Sequence, residues 1–154
     1  MVNIAILTSS ENTLNEKIIT HFQQFKNTDI SCIITNKEDN KIFKKLRRYH
    51  IKEYVTHIYK DIDDILMQTN TNYIVLCDYD EKPPPNFCEK YYKKLIEIKQ
   101  VDDEIIIKYI NHNFNQNDII FRIGIKKHEN VEDLINRYYP IVIENLIRNT
   151  YENK

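Results

Sequence analysis

The sequence predicts an α/β domain: a Rossmann-like, mostly parallel sheet flanked by helices, with an antiparallel or mixed strand pair near the C-terminus. Three observations predict it. Short apolar runs rich in β-branched residues alternate with segments whose apolar residues recur at helical spacing, the pattern of repeated strand–helix units. One run, Tyr73–Cys77, is apolar throughout and bounded by polar residues, as a strand buried on both faces must be. Two late runs, Glu104–Ile110 and Asp118–Ile125, flank the polar stretch His112–Asn117, which reads as a hairpin turn. The chain has 154 residues, one domain's worth, so 1–154 is expected to form a single domain.

Each element follows from its residues. Val2–Leu7 is an apolar first strand with no basic leader before it, and is expected to be a strand, not a signal peptide. Thr8, Ser9 and Ser10 then offer capping hydroxyls to a helix over Leu14–Phe25, where Leu14, Ile18, Ile19, Phe22 and Phe25 share a face. Ile30–Thr35 is the second strand. Lys41–Tyr49 is a helix with Ile42, Phe43 and Leu46 on one side and bases on the other. His50 stands at its end, where a left-handed residue is expected; His tolerates that conformation at a cost of about 1 kcal/mol. Glu53–Thr56 is a short strand and Asp61–Thr69 a short helix with Ile62, Ile65 and Leu66 inward.

Tyr73–Cys77 is the expected central strand. Pro83-Pro84-Pro85 is expected to stop regular structure, which resumes as a helix over Phe87–Lys94. Leu95–Ile98 is expected to be a strand, followed by the two late strands Glu104–Ile110 and Asp118–Ile125. Val131–Arg148 closes the chain as a helix with Leu134, Ile135, Tyr138, Val142 and Leu146 on one stripe, interrupted or kinked at Pro140.

Composition narrows the function classes. Apolar residues make up 42% and charged residues 29% of the chain, the balance of a folded globular domain. A net charge of −1 recommends neither nucleic acid nor an anionic membrane, and the basic cluster Lys41–Arg48 reads as a solvated helix face. No apolar stretch has the length of a membrane span. The three cysteines, Cys32, Cys77 and Cys88, are expected to be buried reduced thiols in a cytoplasmic protein. Gly124 and Ala5 are the only residues of their types, and Trp is absent; Asn, Ile, Lys and Tyr abound, which points to an AT-rich genome. Without Gly, phosphate loops built on close backbone approach are nearly excluded.

The segment ISCIITNKEDNKIFKKLRRYHIKEYV, with Asn36-Lys37 just after a strand, resembles the second β-α-β unit of the folate-dependent formyltransferases, the phosphoribosylglycinamide formyltransferases among them. Three further segments resemble that family in the same order: NIAILTSSENTLNEKI, NYIVLCDYDEKPPPNFCEKYYKKLIEIK and DIIFRIGIKKHENVEDLINRYYPIVIENLI. Together they span most of the chain. The family is longer, and the stretch missing here falls mainly between Lys99 and Asp102. The resemblance implies a formyltransferase-like fold, that of a transferase of purine biosynthesis.

The same resemblance implies altered chemistry. The family stabilises a developing oxyanion with Asn and His of an Asn-x-His sequence and uses a downstream Asp. Those positions match Glu97, Lys99 and Asn115. A carboxylate repels an oxyanion, and a lysine of ordinary pKa, about 10.4, is a poor proton acceptor at neutral pH. The Gly-rich phosphate turn becomes Ser9-Ser10-Glu11-Asn12-Thr13, where Ser9, Ser10, Asn12 and Thr13 are the candidate residual phosphate-binding residues. The loop lining the family's folate pocket becomes Asp80–Pro85, with three prolines and three charges. No cofactor is expected; a folate is implied only if activity is retained.

The expectation is therefore a non-catalytic formyltransferase-like protein that binds an unidentified protein or small ligand, with no nucleic-acid or membrane partner. Two alternatives stay open. One is a diverged active formyltransferase, for which Asn111-His112-Asn113 is a shifted candidate set, although these residues also make ordinary turn chemistry. The other is a metal-dependent nucleotide-sugar transferase using Asp78 and Asp80, which strand alternation would place on one side. A solvated strand end is the simpler reading of that pair, and no metal is expected.

Overall fold

A computed structural model describes residues 2–9, 14–24, 28–38, 40–110 and 119–152, except the side chains of Leu14, Lys99, Leu146, Ile147, Asn149, Thr150, Tyr151 and Glu152. Among the described residues, seven strands form one sheet in the order β3-β2-β1-β4-β5-β6-β7. They are β1 (Val2–Thr8), β2 (Thr28–Thr35), β3 (Lys52–Val55), β4 (Tyr73–Cys77), β5 (Leu95–Val101), β6 (Glu104–Tyr109) and β7 (Ile119–Gly124). β1 to β5 run parallel to one another, while β5–β6 and β6–β7 are antiparallel. The Rossmann-like sheet with an antiparallel C-terminal edge is the expected one. The helices are α1 (Leu14–Phe22), α2 (Ile42–Leu46), α3 (Tyr59–Gln68), α4 (Pro85–Lys90) and α5 (Val131–Glu152).

Strand alternation sorts the apolar residues into two clusters, one on each face of the sheet. On the first face Ile4 and Ile6 of β1, Ile33 of β2 and Val75 of β4 meet Ile18, Ile19 and Phe22 of α1, Ile42 and Leu46 of α2, and Tyr139 and Ile143 of α5. On the other, Ala5, Leu7, Ile34, Ile74 and Leu76 meet Ile62 and Leu66 of α3, Phe87 and Cys88 of α4, and Tyr91 just after it. The central strands have no polar face because helices cover both sides.

β2 obeys this rule only because it is irregular. Ile4 pairs with Ile30 but Ala5 pairs with Cys32, so Ser31 is an extra residue in β2. The bulge lets Ile30 join the first cluster while Cys32 joins the second, against simple alternation. The Ser31 hydroxyl donates to the Ile4 carbonyl (3.2 Å) and meets the Thr71 hydroxyl (2.9 Å), which holds the bulge in place.

Several local expectations are corrected. The helix over 41–49 is α2 followed by a 3-10 turn, Arg47–Tyr49. His50 does stop it in the left-handed conformation, with φ 56° and ψ 41°. The triple proline does not exclude the next helix: Pro85 opens α4, because the N–H it lacks would have no intrahelical partner in a first turn. That helix ends at Lys90, not Lys94, and Lys93 takes a positive φ of 63°. β5 runs on to Val101, where the short turn at Asp102-Asp103 returns the chain into β6.

Pro140 lies inside α5 without ending it. Leu134 and Val142 of the expected stripe are buried and Ile135 packs against the core, Tyr139 and Ile143 are buried beside them, and Tyr138 instead stacks on Phe121 of β7 at 6.1 Å. Phe25 and the hairpin turn over 112–117 lie outside the described residues. All three cysteines are free and buried, and burial pushes the thiol pKa up at each.

Candidate functional site

The strand order places β1 beside both β2 and β4, so successive connections leave β1 in opposite directions. In open α/β sheets the crevice at that reversal, outside the carboxyl ends of the strands, is where ligands bind. Here the loops after β1, β2 and β4 meet there. Each begins with a buried anchor. Thr8, fully buried at the end of β1, receives a hydrogen bond from the Asn15 side-chain amide of α1 (3.2 Å). Thr35, fully buried at the end of β2, accepts from the Lys37 backbone N–H (3.2 Å) and the Asn40 amide (3.0 Å). Asn40 Oδ1 in turn accepts the Ile42 N–H at 3.0 Å and starts α2.

Four side chains close over these anchors. Asn36 Nδ2 donates to Asp80 Oδ1 at 2.6 Å, and Lys37 Nζ pairs with Asp80 Oδ2 at 2.7 Å. The Ser9 hydroxyl lies 2.9 Å from Asp80 Oδ1 and 2.7 Å from Asn36 Oδ1, with one proton to give to either. It accepts the Asp80 backbone N–H at 2.9 Å. The Lys37 ammonium, the Asn36 amide and the Ser9 hydroxyl hold the Asp80 carboxyl at a pKa of about 2. The same contact with Asp80 raises the pKa of Lys37.

Asp78 precedes this cluster in the left-handed region, φ 49°, and its carbonyl accepts the Ser9 N–H at 3.1 Å. β4 ends at Cys77. Strand alternation therefore does not extend to Asp78 and Asp80, which corrects the geometric premise of a paired-carboxylate metal site. Among the described residues, no group of three or more His, Cys, Asp or Glu side chains converges to hold a metal ion.

Beside the crevice, the loop after β4 fills apolar space with the chain's own rings. Pro83 is buried, and Phe87 packs edge-on to Tyr59 (5.0 Å) and tilted against Tyr91 (4.8 Å). The Tyr59 and Tyr79 hydroxyls are buried and face each other, and neither makes a well-formed hydrogen bond to any other described group. Burial, with the Glu81 carboxylate adding to it, pushes Tyr79 up to about 12. Burial first and then the neighbouring Tyr79 raise Tyr59 as well. Tyr91 donates to Asp63 Oδ1 and Lys90 pairs with Asp63 at 2.7 Å, which ties α4 to α3.

Of the three positions matched to the catalytic set, Glu97 is half-buried in β5, in register with Leu76 of β4 on one side and Lys108 of β6 on the other. Directly opposed residues of antiparallel strands share a face, so Glu97 and Lys108 form a cross-strand pair of opposite charge. Lys99 pairs through its backbone with Ile106, and its side chain lies outside the described residues, as does Asn115. Ser10, Asn12 and Thr13 lie outside them too, as do Asn111, His112 and Asn113. Ser9 is brought into the crevice by Asn36, Lys37 and Asp80. In the sequence Asn36-Lys37 carries the family resemblance, and nothing in that resemblance assigns the pair to the site. The available signal was its place directly after a buried strand end.

No family model matches the sequence, and no curated protein matches it. Solved structures do. Phosphoribosylglycinamide formyltransferase from Anaplasma phagocytophilum superimposes with a TM-score of 0.76 at 16% identity, over 92% of this chain and 85% of that one. The enzyme of the same name from Bacillus halodurans gives 0.76 at 17% identity, over 94% and 95%. A formyltetrahydrofolate deformylase from Pseudomonas putida gives 0.70 at 16%, over 96% of this chain and 63% of that one. Two differently named activities thus share the scaffold, and fold by itself does not choose between them. The chain has the formyltransferase-like fold.

Proposed function

We propose that this chain is a formyltransferase-fold protein that does not transfer formyl groups and acts by binding, as a regulator or assembly partner. The observation that carries the reading is the Asp80 carboxylate. It lies across the ends of β1, β2 and β4, held ionised by Ser9, Asn36 and Lys37. The negative charge there competes with an anionic substrate, because the donors that would greet one are engaged by it. Glu97 supports the same reading: formyl transfer builds negative charge on the carbonyl oxygen, which needs donors and not a second carboxylate. The aromatic packing of Tyr59, Tyr79 and Phe87 leaves less room for a flat ring system beside the crevice. The reading carries with it no resident cofactor, no nucleic-acid or membrane partner, and a cytoplasmic setting. Among the described residues no helix is long and apolar enough to cross a membrane.

A diverged active formyltransferase is the second reading, favoured by how fully the scaffold is kept, with superposition over 92% of the chain on one transferase. The test is direct. Purified protein is incubated with a formyl-folate donor and amine acceptors, and no transfer is expected. Turnover that disappears in Lys99→Ala overturns the proposal.

A further inference from the structure

The Asp80 carboxylate receives three side-chain donors on two oxygens. Asn36 Nδ2 (2.6 Å) and the Ser9 hydroxyl (2.9 Å) approach Oδ1, and Lys37 Nζ (2.7 Å) approaches Oδ2. One ammonium, one amide and one hydroxyl around a planar anion is the donor set of an anion-binding site. They come from two different loops, those after β1 and β2, and each is seated on a buried strand end, Thr8 or Thr35. The anion arrives from a third loop. That loop is anchored on either side of Asp80 by half-buried Tyr79 and buried Pro83, whereas the Asp80 side chain is 49% exposed. A rotation about its own side-chain bond takes the carboxylate into water and leaves the anchors packed.

We infer that Ser9, Asn36 and Lys37 form an anion cradle plugged by the chain's own Asp80, and that a small ligand bearing a phosphate or carboxylate group binds by displacing it. The inference rests on the reading above that this crevice acts by binding, and names the ligand chemistry and its control. Occupation by an internal carboxylate makes the site autoinhibited: an external anion competes with a tethered one, so the wild-type protein responds only at high ligand concentration. Charged neighbours set the selectivity. Glu81 follows Asp80 directly in the chain, and its carboxylate opposes the second charge of a phosphate dianion. Singly charged anions therefore suit the emptied cradle better than their size alone suggests.

The test is thermal unfolding of Asp80→Ala with inorganic phosphate and, separately, sodium formate, against sodium chloride at matched ionic strength. Ligand that binds only the folded state raises the melting temperature. A saturable rise of several degrees in Asp80→Ala, a much smaller rise in wild type, and its loss in Asp80→Ala/Lys37→Ala are expected. Whichever of phosphate and formate saturates at the lower concentration identifies the ligand's anionic group. If Asp80→Ala does not fold, Asp80→Asn takes its place: the plug keeps its shape but loses its charge, and the anion response must exceed that of wild type. No saturable response in either variant, an equal response in wild type, or an undiminished response without Lys37 overturns the inference. Formyl transfer by the wild-type protein would defeat the non-catalytic reading while leaving a positive anion result standing, so the two failures are distinguishable.

Discussion

Replacing His50 by glycine should make the protein more stable. His50 ends the helical segment at φ 56° and ψ 41°, with its N–H bonded to the Arg47 carbonyl at 3.1 Å. A side chain in that conformation costs about 1–2 kcal/mol through the clash of Cβ with the backbone, and glycine removes the clash. Glycine also enlarges the unfolded ensemble, which costs about 0.4–1 kcal/mol. The capping hydrogen bond survives because it is made by backbone, and the imidazole is exposed. The net expectation for His50→Gly is a gain of about 0.5–1 kcal/mol, or about 1–4 °C in melting temperature for a domain of this size.

Urea unfolding is the assay: the midpoint should rise with the m-value unchanged. Lys44→Gly within α2 is the control, expected to lose about 1 kcal/mol because its backbone is helical. A His50→Gly midpoint at or below wild type, with the control behaving, would refute the reasoning. Lys93, with φ 63°, follows α4 on the opposite face of the sheet, so Lys93→Gly should add to the gain.

Four further outcomes are expected. Gly124, the chain's only glycine, has no positive φ and nothing within 4 Å of an added Cβ; Gly124→Ala should stabilise by about 0.4–1 kcal/mol in the same urea assay. Phe87→Ala removes the ring between Tyr59 and Tyr91 and should cost about 3–5 kcal/mol. Asn40→Ala strands the Ile42 N–H and loses the bond to Thr35, for a cost of about 1–2 kcal/mol read from the unfolding midpoint. Asp63 and Asp80 both have lowered pKa values, Asp63 through Lys90 and Tyr91, and Asp80, at about 2, through Lys37, Asn36 and Ser9. Depressed folded-state values mean their stabilisation is complete above the unfolded pKa of about 3.9 and is lost as pH falls through the folded values. The unfolding midpoint should therefore drop between about pH 4 and about pH 2, and Asp63→Asn should flatten that drop.

What the chain's own residues determined is local. Apolar runs of strand length, helical spacing at Ile18-Ile19-Phe22 and Ile62-Leu66, and a tolerant residue at His50 are properties of a few neighbouring positions, and each is visible without a fold. Even the glycine shortage has a readable consequence, since His50, Asn70, Asp78, Lys93 and Asp102 take the left-handed positions instead. The resemblance, carried by four segments in order, reached the right scaffold.

Tertiary structure decided what depends on which strand lies beside which. The Ser31 bulge exists because β2 must bury residues on both faces while paired to β1, and no period within β2 announces it. The inward face of α5 takes in Tyr139 and Ile143 beside the expected Leu134 and Val142 because it packs against elements that are distant in the chain. The crevice cluster joins Ser9 to Asn36 across 27 positions and to Asp80 across 71. Only strand order brings such residues together, because a hydrogen bond reports distance in space and the sequence records distance along the chain.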